Sequence, residues 1–474
     1  MAIHVSLVGR KDLKGEVYRQ LRAAIRAGQL RPGEHLTPSR ELAQALAVSR
    51  STVVAAYDRL AAEGFVTTRP GAGTIVSDGA AHAKSGTRTR SDSVLRPRAV
   101  WSAIELPTVF DRAARFDFRT GIPDASLFPH QAWRRLVARA LRAAEKAERV
   151  YQHPAGQLSL RSAIARHVGL SRGIEASADD IVVTGGAQQA LDVLARVLLS
   201  PGDRIAVEDP GYEPPRHLFH ALGIRVVGVP VDHHGLVVDA LPDRVRAVYI
   251  TPSHQYPLGV TMSLARRRAL LAWAERNDAA IIEDDYDSEF RFGDRPLDPL
   301  QTLDTRGRVI YVGSFSKTLL PTVRLGFVVA PRSLRLAIQK AAFVGHWHAP
   351  TLTQNALAHL IDGGEFVRHI RRLNRVYRDR HKALVSTANR ILSDHLELVP
   401  STTGLHVAAL ARTASVEQID AVFSRAAQAE LIFHRLSAFT VSGRPRAGIV
   451  LGYGAIPAEK IPEGLRRLRR CFDS

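Results

Sequence analysis

Ser314-Phe315-Ser316-Lys317-Thr318-Leu319-Leu320-Pro321-Thr322-Val323-Arg324-Leu325-Gly326 lies between two apolar, β-branched runs, Arg308-Val309-Ile310-Tyr311-Val312-Gly313 and Gly326-Phe327-Val328-Val329-Ala330. Both runs read as buried strands, which places Lys317 in a loop between two core strands. An amine held there loses its proton by desolvation and can attack an aldehyde to form a Schiff base. Ser314, Ser316 and Arg324 carry donors suited to a phosphate. Aldehyde and phosphate together are the two handles of pyridoxal 5′-phosphate. A lone Ser-x-Ser-Lys is compatible with an ordinary surface lysine, so the reading depends on partners elsewhere in the chain.

Those partners lie on other strand ends. Short apolar runs at Ile181 to Thr184, Arg204 to Val207, Val226 to Val229, Ala247 to Ile250, Ala280 to Glu283, Val309 to Val312 and Gly326 to Ala330 alternate with helical stretches. This spacing predicts an α/β large domain with a mostly parallel sheet, whose ligands gather at the carboxyl ends of the strands. Thr184-Gly185-Gly186-Ala187-Gln188-Gln189 leaves the first strand and opens a helix, Ala190 to Leu199, so small residues expose free N–H groups to a phosphate. Ile281-Ile282-Glu283-Asp284-Asp285-Tyr286-Asp287 ends another strand in carboxylates and a phenol. A buried carboxylate there can keep a pyridine nitrogen protonated while the tyrosine bonds the ring oxygen; the cluster alone would equally suit a divalent metal. Phosphate cradle, acidic strand end and Lys317, in that chain order, favour pyridoxal phosphate. Glu208-Asp209-Pro210-Gly211-Tyr212 adds an aromatic able to stack on the ring.

The chain has 474 residues, 45% hydrophobic and 23% charged, which is too long for one core and predicts at least two domains. Its formal net charge of +19 fits a polyanionic partner, nucleic acid before membrane, although an Arg-rich and Ala-rich composition has compositional causes as well. The single cysteine, Cys471, excludes an intramolecular disulfide and fits a reducing compartment. Met1-Ala2-Ile3-His4-Val5 opens no apolar signal segment and no run is long enough to span a bilayer, so cytoplasm is expected.

Residues 1–79 read as a small basic module. Leu13, Val17, Leu21 and Ile25 form an i, i+4 stripe on a helix to Ala27, with Gly28 at its C-terminus. Thr37-Pro38 is expected to cap a second helix, Ser39 to Leu46, and Ser49 a third that runs to Glu63 with Val53, Tyr57 and Leu60 inward. Three helices with a tight second turn are a helix-turn-helix pattern, and Phe65 to Val76 then alternates β-formers around Pro70-Gly71, as a wing would. Ser49, Arg50 and Thr52 at the start of the third helix, flanked by Arg40 and Arg69, are the expected contacts to phosphates and base edges of double-stranded DNA. Residues 80–115 begin small, polar and basic, and are expected to act as a flexible tether to the large domain, residues 116–474.

Pro38-Ser39-Arg40-Glu41-Leu42-Ala43, Ser49-Arg50-Ser51-Thr52-Val53, Glu63-Gly64-Phe65 and Gly71-Ala72-Gly73-Thr74 resemble the GntR-type winged helix, with Thr37 replacing the family's usual apolar residue. The later segments resemble fold-type I aminotransferases, and the two in series resemble the MocR subgroup of GntR regulators over nearly the whole chain. The resemblance implies Lys317 as the Schiff-base lysine, Asp284 at the pyridine nitrogen, Tyr286 at the ring oxygen and Tyr212 stacked on the ring. It also implies Ser314, Ser316, Arg324 and the backbone of Gly186, Ala187 and Gln188 around the phosphate, Gly71 and Gly73 in the wing, and a homodimer. Thr251-Pro252-Ser253-His254-Gln255-Tyr256-Pro257-Leu258-Gly259 stands where aminotransferases have Asn-Pro-x-Gly, and Val450 stands where they carry the arginine that clamps a substrate carboxylate. Arg444 or Arg446 is left to reach in from the side. The expected function is a transcription regulator that senses pyridoxal phosphate or its adduct with a small amine. The competing readings are a working aminotransferase fused to a DNA-binding module, and a DNA-binding protein whose large domain is only a scaffold.

Overall fold

A computed structural model describes residues 12–69, 73–78, 96–104, 106, 114–146, 150–293 and 298–473. The chain divides into two compact units, Met1–Arg98 and Ala99–Ser474. The division falls inside the tether expected at 80–115, and Ala99–Ala103 already forms a 3-10 helix of the second unit.

The first unit holds α1 (Leu13–Arg26), α2 (Ser39–Ala45), α3 (Arg50–Ala62), β1 (Val66–Arg69) and β2 (Gly73–Val76). The stripe Val17, Leu21, Ile25 packs on Val53, Tyr57 and Leu60, with Leu42, Val66 and Val76 closing the core. Burial of each such side chain stabilises by roughly 1.5–3 kcal/mol, which is what holds helices this short together. Ser49 caps α3 by accepting the Thr52 amide hydrogen at 3.2 Å, as expected. The second helix departs from expectation. Pro38, not Thr37, takes the N-cap position and no side chain caps it. The Thr37 carbonyl instead accepts the Tyr57 hydroxyl at 2.6 Å, tying the turn to α3. β1 and β2 pair antiparallel from Val66↔Val76 to Arg69↔Gly73; their expected Pro70-Gly71 turn lies outside the described residues.

The second unit runs β3 (Phe116–Asp117), α4 (His130–Lys146), α5 (Leu158–Arg172), β4 (Ile181–Thr184), α6 (Ala187–Leu198), β5 (Arg204–Asp209), α7 (Glu213–Ala221), β6 (Arg225–Asp232), β7 (Gly235–Leu236), β8 (Ala247–Ile250), α8 (Leu264–Arg276), β9 (Ala280–Asp285), α9 (Leu300–Leu303), β10 (Val309–Ser314), β11 (Gly326–Val329), α10 (Arg335–His346), α11 (Thr351–Asp362), α12 (Glu365–Ile391), β12 (Leu396–Leu398), β13 (His406–Ala411), α13 (Val416–Gln428), β14 (Leu431–Ile432), β15 (His434–Arg435), β16 (Gly448–Gly452) and α14 (Ile461–Asp473). The seven expected strands all lie in one sheet of order β4-β11-β10-β9-β8-β5-β6-β7, with the short β7 added at its edge. β10, β9, β8, β5 and β6 are mutually parallel, and β11 runs against its neighbours. Helices cover both faces: Val182, Ile282, Ile310 and Val312 pack on the α6 side, while Ile181, Val183, Ile281 and Val309 point the other way. Burial on both faces is why these strands read as continuous apolar runs. A second sheet, β12-β13-β16-β15, packs with α12, α13 and α14 around a separate core.

Register sets the site. Gly326 pairs with both Thr184 and Ser314, so the ends of β4 and β10 and the start of β11 lie side by side. On the next strand Asp284 pairs with Val312. Segments separated by well over a hundred residues are thereby delivered to one edge.

Candidate functional site

Lys317 leaves β10 in the loop before β11, half-buried, and its Nζ donates to the Gly121 carbonyl at 2.7 Å. Burial lowers the pKa of the amine, opposed by the carboxylates of Asp287 and Asp284. Gly121 has φ +76, and a Cβ there would come within 3.1 Å of Nζ, so a glycine lets the wall approach the amine.

Asp284 is 3% exposed. Its Oδ2 accepts the Tyr249 hydroxyl at 2.8 Å, while Oδ1 is buried with no hydrogen-bond partner. Burial pushes its pKa up to about 7, with Tyr249 opposing. A buried acceptor without a donor is costly, and a protonated pyridine nitrogen is the kind of donor that would relieve it. The neighbouring acids go elsewhere, which separates this cluster from a metal site. Glu283 accepts the Leu300 and Gln301 amides at 2.8 and 2.9 Å, Asp285 binds Arg172 and the Tyr311 hydroxyl at 2.6 Å each, and Asp287 faces His254 Nδ1 at 3.0 Å. His254, Asp287 and His406 bring donor atoms within 4.8 Å of one another, but His406 Nε2 donates to the Pro257 carbonyl and His254 Nδ1 is engaged by Asp287.

The phosphate side is built from backbone. Gly186 caps α6 with φ 101 and ψ 175, a conformation open to glycine, and Ala187 and Gln188 form the first turn, whose amides have no helical acceptor. A Cβ on Gly186 would sit 3.7 Å from an Arg324 guanidinium nitrogen, so the arginine lies over this helix end. Arg324 itself takes φ 51, a left-handed conformation that aims its side chain back across the sheet edge. Ser314 and Ser316 hydroxyls lie 3.1 Å apart and the Ser316 amide donates to Ser314 Oγ at 3.2 Å. The residues present fit pyridoxal phosphate at each end: amine, carboxylate acceptor and anion cradle.

Tyr212 and Tyr286 line the same space differently. Tyr212, 37% exposed, meets Tyr256 edge to face with centroids 5.3 Å apart. Tyr286 donates its hydroxyl to the His254 carbonyl at 2.9 Å, so here its hydrogen is directed into the wall. Sequence reasoning missed Tyr249, Gly121, the His254–Asp287 pair and Tyr256. Tyr256 bonds Thr120 by its hydroxyl at 2.7 Å and packs on Phe439 at 5.2 Å. Asp209 fixes the loop beyond Phe439 by accepting the amides of Val441, Ser442 and Gly443 at 2.9–3.0 Å. The signal available was the position of Tyr249 near a strand end.

Val450 is fully buried in β16 among Val231, Leu258, Val260, Ala408, Leu436 and Phe439. Neither arginine expected to substitute has a hydrogen bond or ion pair among the described residues that ties it to the site. Arg444 and Arg446 are exposed, and Arg446 lines a groove of about 420 Å³ with His233, Glu397 and Pro400, none of them cofactor residues.

In the winged helix Arg40, Ser49 and Arg50 are exposed, and neither arginine makes an ion pair among the described residues. Thr52 is a correction: it is 7% exposed, and its hydroxyl lies 2.8 Å from Ser49 Oγ, which makes it part of the cap and not of the outer surface. Gly73 pairs with Arg69 through the hairpin; Gly71 and the Arg69 side chain lie outside the described residues.

The family Aminotransferase class I and II matches residues 117–450, and the family Bacterial regulatory proteins, gntR family, matches residues 13–76. The chain is 37% identical over 465 residues to the probable rhizopine catabolism regulatory protein MocR of Rhizobium meliloti, covering 96% of this chain and 93% of that one. It is 34% identical over 440 residues to the pyridoxine biosynthesis transcriptional regulator PdxR of Corynebacterium glutamicum, covering 93% and 91%. Among solved structures, the α-aminoadipate aminotransferase LysN of Thermus thermophilus, complexed with N-(5′-phosphopyridoxyl)-L-leucine, superposes with a TM-score of 0.69 at 30% identity over 76% of this chain and 92% of that one.

Proposed function

Because the chain belongs to the MocR subgroup of GntR-family transcription regulators, a GntR winged helix joined to a class I and II aminotransferase domain, we propose that its large domain reads pyridoxal phosphate, or that cofactor joined to a small amine, and alters DNA affinity through residues 12–78. Pyridoxal 5′-phosphate is its cofactor and supplies an aldehyde for amines and a ring that withdraws electrons. The observation that carries the reading is the partnerless Asp284 Oδ1 in the same cleft as the Lys317 amine. Burial keeps a larger share of Lys317 unprotonated and therefore nucleophilic. Asp284, steadied by Tyr249, is the acceptor for the pyridine N–H, and Arg324 with the α6 amides takes the phosphate. Tyr212 and Tyr256, edge to face beside Asp284 and Arg324, form an aromatic wall of the site.

The apolar surroundings of Val450 favour the regulator over the enzyme. A buried strand valine offers nothing to a carboxylate, so a bound amine is not held in the orientation that transamination requires. The effector is then an amine recognised by its reactive nitrogen and by the aromatic wall. Exposed Val150, Tyr151, Phe343, Val344 and Trp347, with Tyr151 stacked on Trp347 at 4.2 Å, support a homodimer. Such a dimer carries two winged helices for a two-part operator on double-stranded DNA. No helix of the described residues is long and apolar enough to cross a membrane, and a cytoplasmic site of action accords with binding DNA. Anisotropy titration of operator DNA with the full-length protein, with and without added pyridoxal phosphate, tests the reading. A change in affinity that Lys317→Ala removes is expected; identical curves would overturn it.

A further inference from the structure

We propose that the outward face of α12 is a second contact for the phosphate backbone of duplex DNA, separate from the winged helix. This rests on the DNA-binding reading above. α12 is the longest helix described, 27 residues with eight arginines and lysines against two carboxylates. Its core side is fixed by Phe366, His369, Leu373, Tyr377, Arg380 and Leu384, all buried. Arg371, Arg375, Arg378 and Lys382 recur at spacings of three and four, diametrically opposite that side, and all four are exposed. At 1.5 Å per residue the stripe is about 16 Å long with one cation every 4.5–6 Å. Duplex DNA carries one negative charge per about 1.7 Å of axis, so each cation on such a line meets a phosphate.

Charge pairing on α14 differs from that on this face. On α14 the arginines are neutralised locally: Arg466 and Arg467 pair with Glu463, and Arg469 with Asp473 and Asp394. On α12 Glu365 pairs with Arg135 and so is drawn toward α4. Asp379 flanks the stripe, four residues from Arg375 and three from Lys382, and forms no ion pair with either among the described residues. Among the described residues the four stripe cations have no carboxylate or carbonyl partner, whereas the flanking Arg372 donates to the Leu127 carbonyl at 2.9 Å. Four unneutralised cations in a line repel one another, and a linear polyanion relieves that repulsion. The chain's net charge of +19 is of the same sign, and the duplex is the polyanion that the winged helix already brings to the molecule.

The test uses the full-length protein and a mixed-sequence duplex of about 60 base pairs, long enough to extend past the winged helices on both sides. Affinity is measured by anisotropy across a salt series for wild type, Arg371→Gln/Arg375→Gln/Arg378→Gln/Lys382→Gln, Arg50→Ala and the combination. Each phosphate contact contributes about 0.9 to the slope of log K against log salt, so loss of the stripe lowers the slope by about 2 to 4. The wild-type advantage at low salt then shrinks by about 100-fold between 50 and 200 mM if all four contacts are made. The loss persists in the Arg50→Ala background. An unchanged slope in the folded quadruple variant, verified by its thermal unfolding and cofactor absorbance, overturns the proposal. So does binding of anionic vesicles that depends on the stripe while the DNA slope stays constant. A slope insensitive to Arg50→Ala but reduced by the quadruple variant leaves this proposal standing and removes the winged-helix assignment instead.

Discussion

The free oxygen of Asp284 makes a pH signature. Burial raises this carboxyl from 3.8 to about 7, so in cofactor-free protein the folded state keeps a proton that the unfolded chain releases. The associated stability is fully present below about pH 4 and is lost as pH rises through about 7. Glu208 and Glu289, both pushed up to about 7 by burial, act in the same direction. Cofactor-free protein should therefore lose stability between about pH 4.5 and 7, and Asp284→Asn should flatten that decline by on the order of a few kcal/mol. Denaturant midpoints across this range measure it; an undiminished slope in the variant would show that Asp284 is not the group that titrates. Lys317 gives a second prediction at this scale. Reduction with borohydride should fix the cofactor covalently to the wild-type chain and not to Lys317→Ala, as read by mass. Retention of the adduct in the variant would place the reactive amine elsewhere.

Among the elements, α3 is the one proposed to face DNA, and it rests on the small core of the first unit. Leu60 is fully buried between α1 and β1, so Leu60→Ala should cost about 2–5 kcal/mol. That is enough to unfold a unit this small, and DNA binding should disappear while cofactor absorbance remains. Arg50 projects from the first turn of the same helix without a protein partner. Arg50→Ala should weaken specific binding by about 1–3 kcal/mol and leave the thermal midpoint in place. A variant that binds normally would shift recognition to Arg40 or the wing. The caps were readable where one side chain acts within one turn, as Ser49 does. They were misread at Thr37, because the hydroxyl of Tyr57, twenty residues on, claims the backbone there.

For the molecule as a whole, dimerisation and catalysis are the properties to measure. Sedimentation should give a dimer, and Tyr151→Asp/Val344→Asp should shift it toward monomer because charge is placed in the exposed apolar surface. Amino acids and 2-oxo acids offered to the cofactor-loaded protein should change its spectrum with turnover far below about 1 per second. Sustained turnover above that rate would restore the enzyme reading despite Val450.

The α/β order and the winged-helix pattern were legible in local sequence, because periodicity and caps act over a few residues, whereas Lys317 and the Gly-Gly turn became candidates only in combination. The strand end offered only an acidic cluster, and Asp284 was named within it by the family resemblance. Which of four neighbouring acids would keep a free oxygen was not a local property. It followed from Tyr249, Arg172, Arg267 and His254, each brought from another segment by the register of the parallel sheet. The same holds for Gly121, set against Lys317 across 196 residues, and for Arg446, drawn to another groove. Sequence specifies which groups are available; only the packed sheet decides which remain without a partner, since partnerlessness depends on every neighbour at once.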